Sequence, residues 1–197
     1  MSDSINEQND IISQILFSEE QITECVTSLA QMIKKDYQDK YPIFIGVLKG
    51  VFIFMADLMR KIDINCDVDF LAISNYSNDA RKRGVVRLVK DLDIPIEGRH
   101  VLFIEDVIDT GLTLNYLLRN LKERMPASLE VCTLFNKPSH RLIDIPIRYK
   151  GFDLPDKFIV GYGLDYNERF RNLPYVGILK VEILQSTNNS IKLKQGL

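Results

Sequence analysis

The chain has 197 residues, 46% hydrophobic and 26% charged, with Lys+Arg 25 against Asp+Glu 27. That profile fits one domain large enough to bury a core, and 10 Gly with 7 Pro exclude a collagen-like or linker chain. A net charge of −2 argues against a coat for nucleic acid, and the longest apolar run, Val51 to Ala56, is too short to cross a membrane. The first ten residues carry Asp3, Glu7 and Asp10 with no basic start, so no secretory signal is expected. Cys25, Cys66 and Cys132 lack metal-type spacing and point to a reducing, cytoplasmic compartment.

In chain order, Met1 to Asn9 is polar and reads as a frayed end. Ser18-Glu-Glu-Gln resembles a capping box, and Ile22, Val26, Leu29, Ile33 and Tyr37 form the apolar stripe of the helix behind it. Ile43 to Leu48 is a buried strand, and a second helix runs through Phe52, Met55, Ala56 and Met59. A strand follows in which Ile64, Cys66, Val68 and Phe70 face one way, and Asp63, Asp67 and Asp69 the other. Ser74 to Gly84 is a polar, basic loop, and Val85 to Val89 returns as a strand. Val101 to Ile104 is apolar enough to be covered on both faces. Leu114, Leu117, Leu118 and Leu121 mark a third helix, and Leu129 to Phe135 and Phe158 to Tyr162 two more buried strands. The tail from Gln185 reads as solvated. This alternation predicts an α/β fold with a largely parallel sheet flanked by helices. No internal repeat or linker divides the chain, so residues 1–197 are expected to form a single domain.

The segment Val101 to Thr113, VLFIEDVIDTGLT, carries the chemistry. Glu105 and Asp106 are expected at the carboxyl end of its strand, where open α/β sheets bind ligands. Asp109, Thr110, Gly111, Leu112 and Thr113 turn into the third helix, whose N-terminal N–H groups and dipole suit a phosphate. Gly111 allows close backbone approach, and paired carboxylates can accept hydrogen bonds from a sugar's vicinal hydroxyls. Helix capping by Asp109 or Thr110 would explain one polar residue, but not the two acids before it. No P-loop pattern occurs.

These thirteen residues resemble the phosphoribosyl-diphosphate (PRPP) binding motif of type I phosphoribosyltransferases. GVLKG (Gly46 to Gly50), FNKPSHR (Phe135 to Arg141) and DKFIVGYGLDYNERFRNLPYVGIL (Asp156 to Leu179) are similar to the bacterial hypoxanthine-guanine branch, in family order. The resemblance implies a single-domain fold with a mobile lid and a small hood. It implies transfer of a ribose phosphate from PRPP to a 6-oxopurine, with Mg²⁺ as cofactor, in a homodimer or homotetramer. It implies no nucleic-acid or membrane partner.

By the same resemblance Glu105 and Asp106 hold the ribose hydroxyls, and Asp109 transfers the proton at the purine N7. Thr110, Gly111, Leu112 and Thr113 cradle the 5′-phosphate, while Lys49, Gly50 and Arg171 meet pyrophosphate. In the family the peptide before the matching lysine is often cis. Lys137 contacts the purine O6, which selects against adenine because two donors would face each other. Phe158 stacks on the base, Ile159 meets its edge through the main chain, and Asp165 stands beside the metal. Glu105, Asp106 and Asp165 are thus the candidate metal ligands, acting partly through water. Asn75 and Tyr76 belong to the lid. Taken alone, Lys137 would be a surface lysine, Phe158 a core residue and Arg171 an i,i+3 partner of Glu168.

The chain departs from the family pattern at Asn75, where serine is usual, at Leu112, where some relatives carry lysine, and at Val51, where a smaller residue is common and pyrophosphate would be crowded. A regulator of the same fold that binds nucleic acid is the alternative, supported only by Arg81-Lys82-Arg83. A uracil or adenine transferase is opposed by the segments around Lys137 and Phe158.

Overall fold

The parallel sheet follows from short apolar runs that can be buried only if helices cover both faces. The computed structural model describes residues 11–75, 86–180 and 182–183, the side chains of Asn75 and Val86 excepted. The expected frayed start, the lid residue Tyr76 and the tail from Gln185 lie outside the described residues. Two compact units result, one of residues 23–156 and one of residues 1–22 with 157–197.

The larger unit is built on strands β2 (Ile43–Leu48), β3 (Asp67–Asn75), β4 (Val86–Lys90), β5 (His100–Ile108), β6 (Ser128–Asn136) and β7 (Tyr149–Asp153). Their order is β4-β3-β2-β5-β6-β7, parallel except for β4, which runs antiparallel to β3. Helices α1 (Glu19–Tyr37), α2 (Phe52–Ile62) and α3 (Leu112–Lys122) supply the cover. Strand alternation sends Ile43, Ile45 and Val47 of β2 and Val101 and Phe103 of β5 to one face, where they cluster with Leu114, Leu117 and Leu121 of α3. Each such leucine, buried to 2% exposure or less, stabilises the unit by about 1.5–3 kcal/mol. On the opposite face Gly46 lies under α2: a Cβ there would stand 2.7 Å from Val51 Cγ1 and 2.9 Å from Met55 Cε. Val51 is fully buried in this contact, so its side chain packs into the core.

Helix α1 buries its whole predicted stripe, Ile22, Val26, Leu29, Ile33 and Tyr37. Its capping box is formed: Gln21 N donates to Ser18 Oγ at 3.3 Å, and Ser18 N to Gln21 Oε1 at 2.9 Å. The C-terminal half is tied to β7, since Arg148 pairs with Asp36 at 2.8 Å and Tyr149 Oη donates to Asp36 at 2.7 Å.

The structure adds to or alters the expectations at β5, β7 and Asp69. Strand β5 runs to Ile108, four residues beyond the apolar run, because β6 pairs with it as far as Asn136. Glu105 and Asp106 therefore sit within the strand and point to opposite faces. Strand β7 was not legible as one. Asp69 is buried to 5% exposure and does not face water with Asp67: it accepts from Asp93 N at 2.7 Å, Ile94 N at 2.9 Å and Lys90 Nζ at 3.2 Å. Those donors satisfy a carboxylate that would otherwise be costly to bury.

The smaller unit is a three-stranded antiparallel sheet, β1 (Ile12–Phe17), β9 (Val176–Leu179) and β8 (Ile159–Val160), in the order β1-β9-β8. Strand β8 is two residues long, not the five expected. Val160, Leu173 and Leu179 form its core, with Ile11, Ile12, Tyr166, Phe170 and Tyr175 against them.

Candidate active site

In the larger unit, the chemistry-bearing residues gather at the carboxyl ends of β2, β5 and β6, where an α/β sheet presents ligands. Glu105 is 9% exposed and, with Val107, Ile108, Asp109, Thr110, Gly111, Thr113 and Leu114, lines a cleft of about 150 Å³ at the start of α3. Burial pushes the Glu105 carboxyl well above the usual carboxylate range, and the neighbouring Asp106 charge adds to the rise. Asp106 points the other way. A Cβ on Gly50 would lie 1.8 Å from Asp106 Oδ2, so the loop after β2 touches the acidic strand only because residue 50 has no side chain. The Leu48–Lys49 peptide, which the sequence left open, is cis, and Lys49 is exposed.

Helix α3 begins with Gly111 as its N-cap, at φ +82° and with no side-chain capping bond. Leu112 N has only a long contact of 3.4 Å to Thr110 Oγ1. Asp109 is therefore not the cap that a structural reading would make it. It pairs with His140 instead, Oδ1 to Nδ1 at 2.6 Å. Gly111 is needed twice over: its backbone is left-handed, and a Cβ would stand 3.2 Å from Ile143 O and 3.3 Å from Arg141 Nη1. Leu112, at the position where charge is missing, is half-exposed.

Lys137 follows β6 and is held against the end of β5 by Lys137 N donating to Ile108 O at 2.9 Å. Leu142 N donates to Thr110 O at 3.0 Å, so the segment after Lys137 runs alongside the phosphate turn. Sequence reasoning missed His140 and Arg141. Arg141 donates through Nε and Nη2 to Asn136 Oδ1 at 3.1 and 2.5 Å, which sets its guanidinium beside Gly111. Both residues were inside FNKPSHR, but a lone histidine in a turn says nothing of what it faces.

In the smaller unit, Asp165 and Arg171 form an ion pair at 2.8 Å, with Arg171 18% exposed. Glu168, the i,i+3 alternative, is farther at 3.4 Å. Arg171 Nη1 also donates to Gly163 O at 2.8 Å, and Asp165 accepts from Glu168 N at 2.9 Å. The tight path is made by residues with positive φ: Tyr166 and Arg169 exchange both backbone bonds around Asn167 (φ +53°) and Glu168 (φ +63°), a type I′ turn. Phe158 is 43% exposed and packs edge-on against Tyr166 at 5.4 Å, so it is not core, whereas Ile159 is buried. Asn75 ends β3.

Among the described residues no three His, Cys, Asp or Glu side chains converge as a metal cage. Glu105 and Asp106 in the larger unit, and Asp165 in the smaller, carry carboxylate oxygens of the kind that hard cations such as Mg²⁺ take beside water and substrate oxygens. The larger cavity, about 590 Å³, lies beside α3 and the amino end of β6, away from the strand ends that carry these residues.

The model of the phosphoribosyl transferase domain matches residues 14–167. The chain is 48% identical over 175 residues to hypoxanthine-guanine phosphoribosyltransferase of Bacillus subtilis (strain 168), covering 89% of this chain and 97% of that protein. It is 49% identical over 172 residues to the protein of the same name from Streptococcus thermophilus (strain CNRZ 1066), covering 87% and 96%. A solved hypoxanthine phosphoribosyltransferase from Staphylococcus aureus superposes with a TM-score of 0.83 at 43% identity, over 89% of this chain and 97% of that one.

Proposed function

The chain belongs to the phosphoribosyl transferase family, and we propose that the cleft at the start of α3 is where it handles PRPP. Its reaction is purine salvage: a 6-oxopurine, hypoxanthine or guanine, plus PRPP gives the nucleoside monophosphate plus pyrophosphate. No observation favours the nucleic-acid-binding regulator. In this reaction the C1′–oxygen bond to pyrophosphate breaks, the N9–C1′ bond forms, and the purine loses one proton.

The observation that carries the residue roles is the uncapped α3 N-terminus, with Gly111 left-handed and Glu105 and Asp109 in one cleft. Its N–H groups and the hydroxyls of Thr110 and Thr113 bind the 5′-phosphate, and Leu112 contributes main chain. The resemblance gives the ribose hydroxyls to Glu105, which lines the cleft, and to Asp106, on the other face of β5 beside Gly50. Asp109 takes the N7 proton as N9 bonds to C1′. Lys137 donates to O6, Phe158 stacks on the base and Ile159 meets its edge. Lys49, Gly50 and Arg171 receive pyrophosphate, for which the arginine fork is suited. Asn75 and Tyr76 belong to the lid that excludes water.

Mg²⁺ completes the proposal: Glu105, Asp106 and Asp165 would hold it with substrate oxygens and water, and it would neutralise charge on the departing diphosphate. The family match runs through both compact units, which supports reading them as one phosphoribosyltransferase domain. A cytoplasmic enzyme of two or four copies is part of the same reading: the three cysteines are unbridged, and among the described residues no helix is long and apolar enough to span a membrane.

The test is a spectrophotometric assay with PRPP and each purine or pyrimidine base in turn, with Mg²⁺ present and then chelated. Turnover of hypoxanthine and guanine that stops on chelation is expected. Equal turnover of adenine or uracil would sink the base-site roles, and full activity without divalent metal would sink the Mg²⁺ role.

A further inference from the structure

His140 ends the 3₁₀ turn Pro138–His140, three residues beyond Lys137. Its ring is placed between two carboxylates: Nδ1 lies 2.6 Å from Asp109 Oδ1, and Nε2 2.6 Å from Asp156 Oδ1. A carboxylate can only accept, so each ring nitrogen must carry a proton for both bonds to exist. Neutral imidazole would leave one nitrogen lone pair facing an oxygen lone pair. The bridged geometry is therefore that of the imidazolium, with charge-assisted bonds on both sides.

Among the described residues the Asp109 side chain is not a helix cap, and half of it is in solvent; beside the His140 bond it has the charge of the Arg141 guanidinium within electrostatic reach. We propose that His140 is a positioning residue, anchored by Asp156, that holds the Asp109 carboxylate by Oδ1 so that Oδ2 meets the purine N7. This rests on the proton-transfer role of Asp109 proposed above. Proximity effects make the aim of a catalytic carboxylate worth more than its presence, since small misplacements cost large factors in rate.

The groups around His140 agree. Its bond to Asp109 first, and that to Asp156 second, raise its pKa above the usual 6.5, against an opposing effect of burial. Arg141, the neighbouring cation, donates to Asn136 and also feels the charges of Asp144, Asp109 and Asp153, and His140 N donates to Lys137 O at 3.2 Å. The double bridge is complete below about pH 6.5 and is lost as pH rises through the raised value of the folded chain.

The chain has two histidines, His100 and His140, so long-range ¹H–¹⁵N spectra of the full protein can be assigned with His140→Gln alone. Both His140 nitrogens should give imidazolium shifts below about pH 6.5, with a midpoint above 6.5 that falls in Asp156→Asn. Single-turnover rates with saturating PRPP and hypoxanthine should drop roughly tenfold in His140→Gln, the size of one lost charge-assisted bond. The His140 inflection should vanish from the rate–pH profile, while PRPP affinity stays within roughly twofold. In an Asp109→Asn background, His140→Gln should add no further loss.

An unshifted His140 midpoint, or the same fold loss in both backgrounds, overturns the proposal. A slow Asp109→Asn beside a fast His140→Gln would overturn it while leaving the proton-transfer role of Asp109 standing. A wild-type rate in Asp109→Asn would remove that role and this one together.

Discussion

The carboxylate of Asp106 occupies the space that a side chain at Gly50 would need: an added Cβ would stand 1.8 Å from Asp106 Oδ2. The loop after β2 and the acidic strand β5, fifty-odd residues apart in sequence, are thereby one structure. Gly50→Ala should push the carboxylate away, cost roughly 1–3 kcal/mol of stability as overpacking does, and raise the KM for PRPP more than that for purine. Urea unfolding and the two KM values check it. Unchanged values on both counts would mean that Asp106 and the loop are not coupled.

Asp109 and Glu105 should separate chemistry from binding. Asp109→Asn keeps size but cannot take a proton, so single-turnover rate should fall by roughly 10²–10⁴ with little change in PRPP affinity. Glu105→Gln should do the reverse, weakening PRPP more than it slows a saturated turnover. Rapid-quench kinetics and calorimetry distinguish the two patterns.

The raised Glu105 carboxyl has a second consequence, in the metal-free protein without substrate. A carboxyl whose folded pKa lies above its unfolded value of about 4.5 favours folding fully below that value, and the stability is lost as pH rises through the folded pKa. Unfolding free energy should therefore decline above about pH 4.5 in the wild type and decline less in Glu105→Gln. Denaturation curves across pH 4 to pH 8 measure the difference, and parallel pH dependences would contradict the burial effect on Glu105.

Phe158→Ala tests stacking against packing. Because the ring is 43% exposed, its loss should cost well under the roughly 3–5 kcal/mol typical of a buried phenylalanine. Purine KM should nevertheless rise by roughly tenfold or more, base–aromatic stacking being worth about 1–3 kcal/mol. A large fall in Tm with unchanged purine KM would return Phe158 to a structural role.

Lys137→Ala should lower kcat/KM for hypoxanthine and guanine far more than it weakens PRPP binding, if its ammonium is the donor proposed for the purine O6. Steady-state assays with both purines, beside PRPP titration calorimetry, decide between that and a general loss of fold.

What the sequence determined by itself was local. The segment Val101 to Thr113 is contiguous, so its strand, its turn and the need for Gly111 could all be read in thirteen residues. The α1 stripe and the Ser18–Gln21 capping box depend on spacings of three and four, and they stand as read. What only the tertiary structure decided depends on partners far along the chain. β1 exists because β9, more than 150 residues later, pairs with it, and β7 because β6 supplies its ladder. Glu105 and Asp106 read as a pair at a strand end, but continued pairing with β6 turned them to opposite faces. Alternation put Asp69 on the side opposite the apolar residues, but only folding shows that it is buried there, with donors from Lys90, Asp93 and Ile94. His140 shows the same limit: a lone imidazole has no meaning until folding sets a carboxylate against each nitrogen. Periodicity and motifs record the backbone's local preferences, whereas hydrogen-bond partners and charge pairs are set by distance in space, which a linear spacing does not encode.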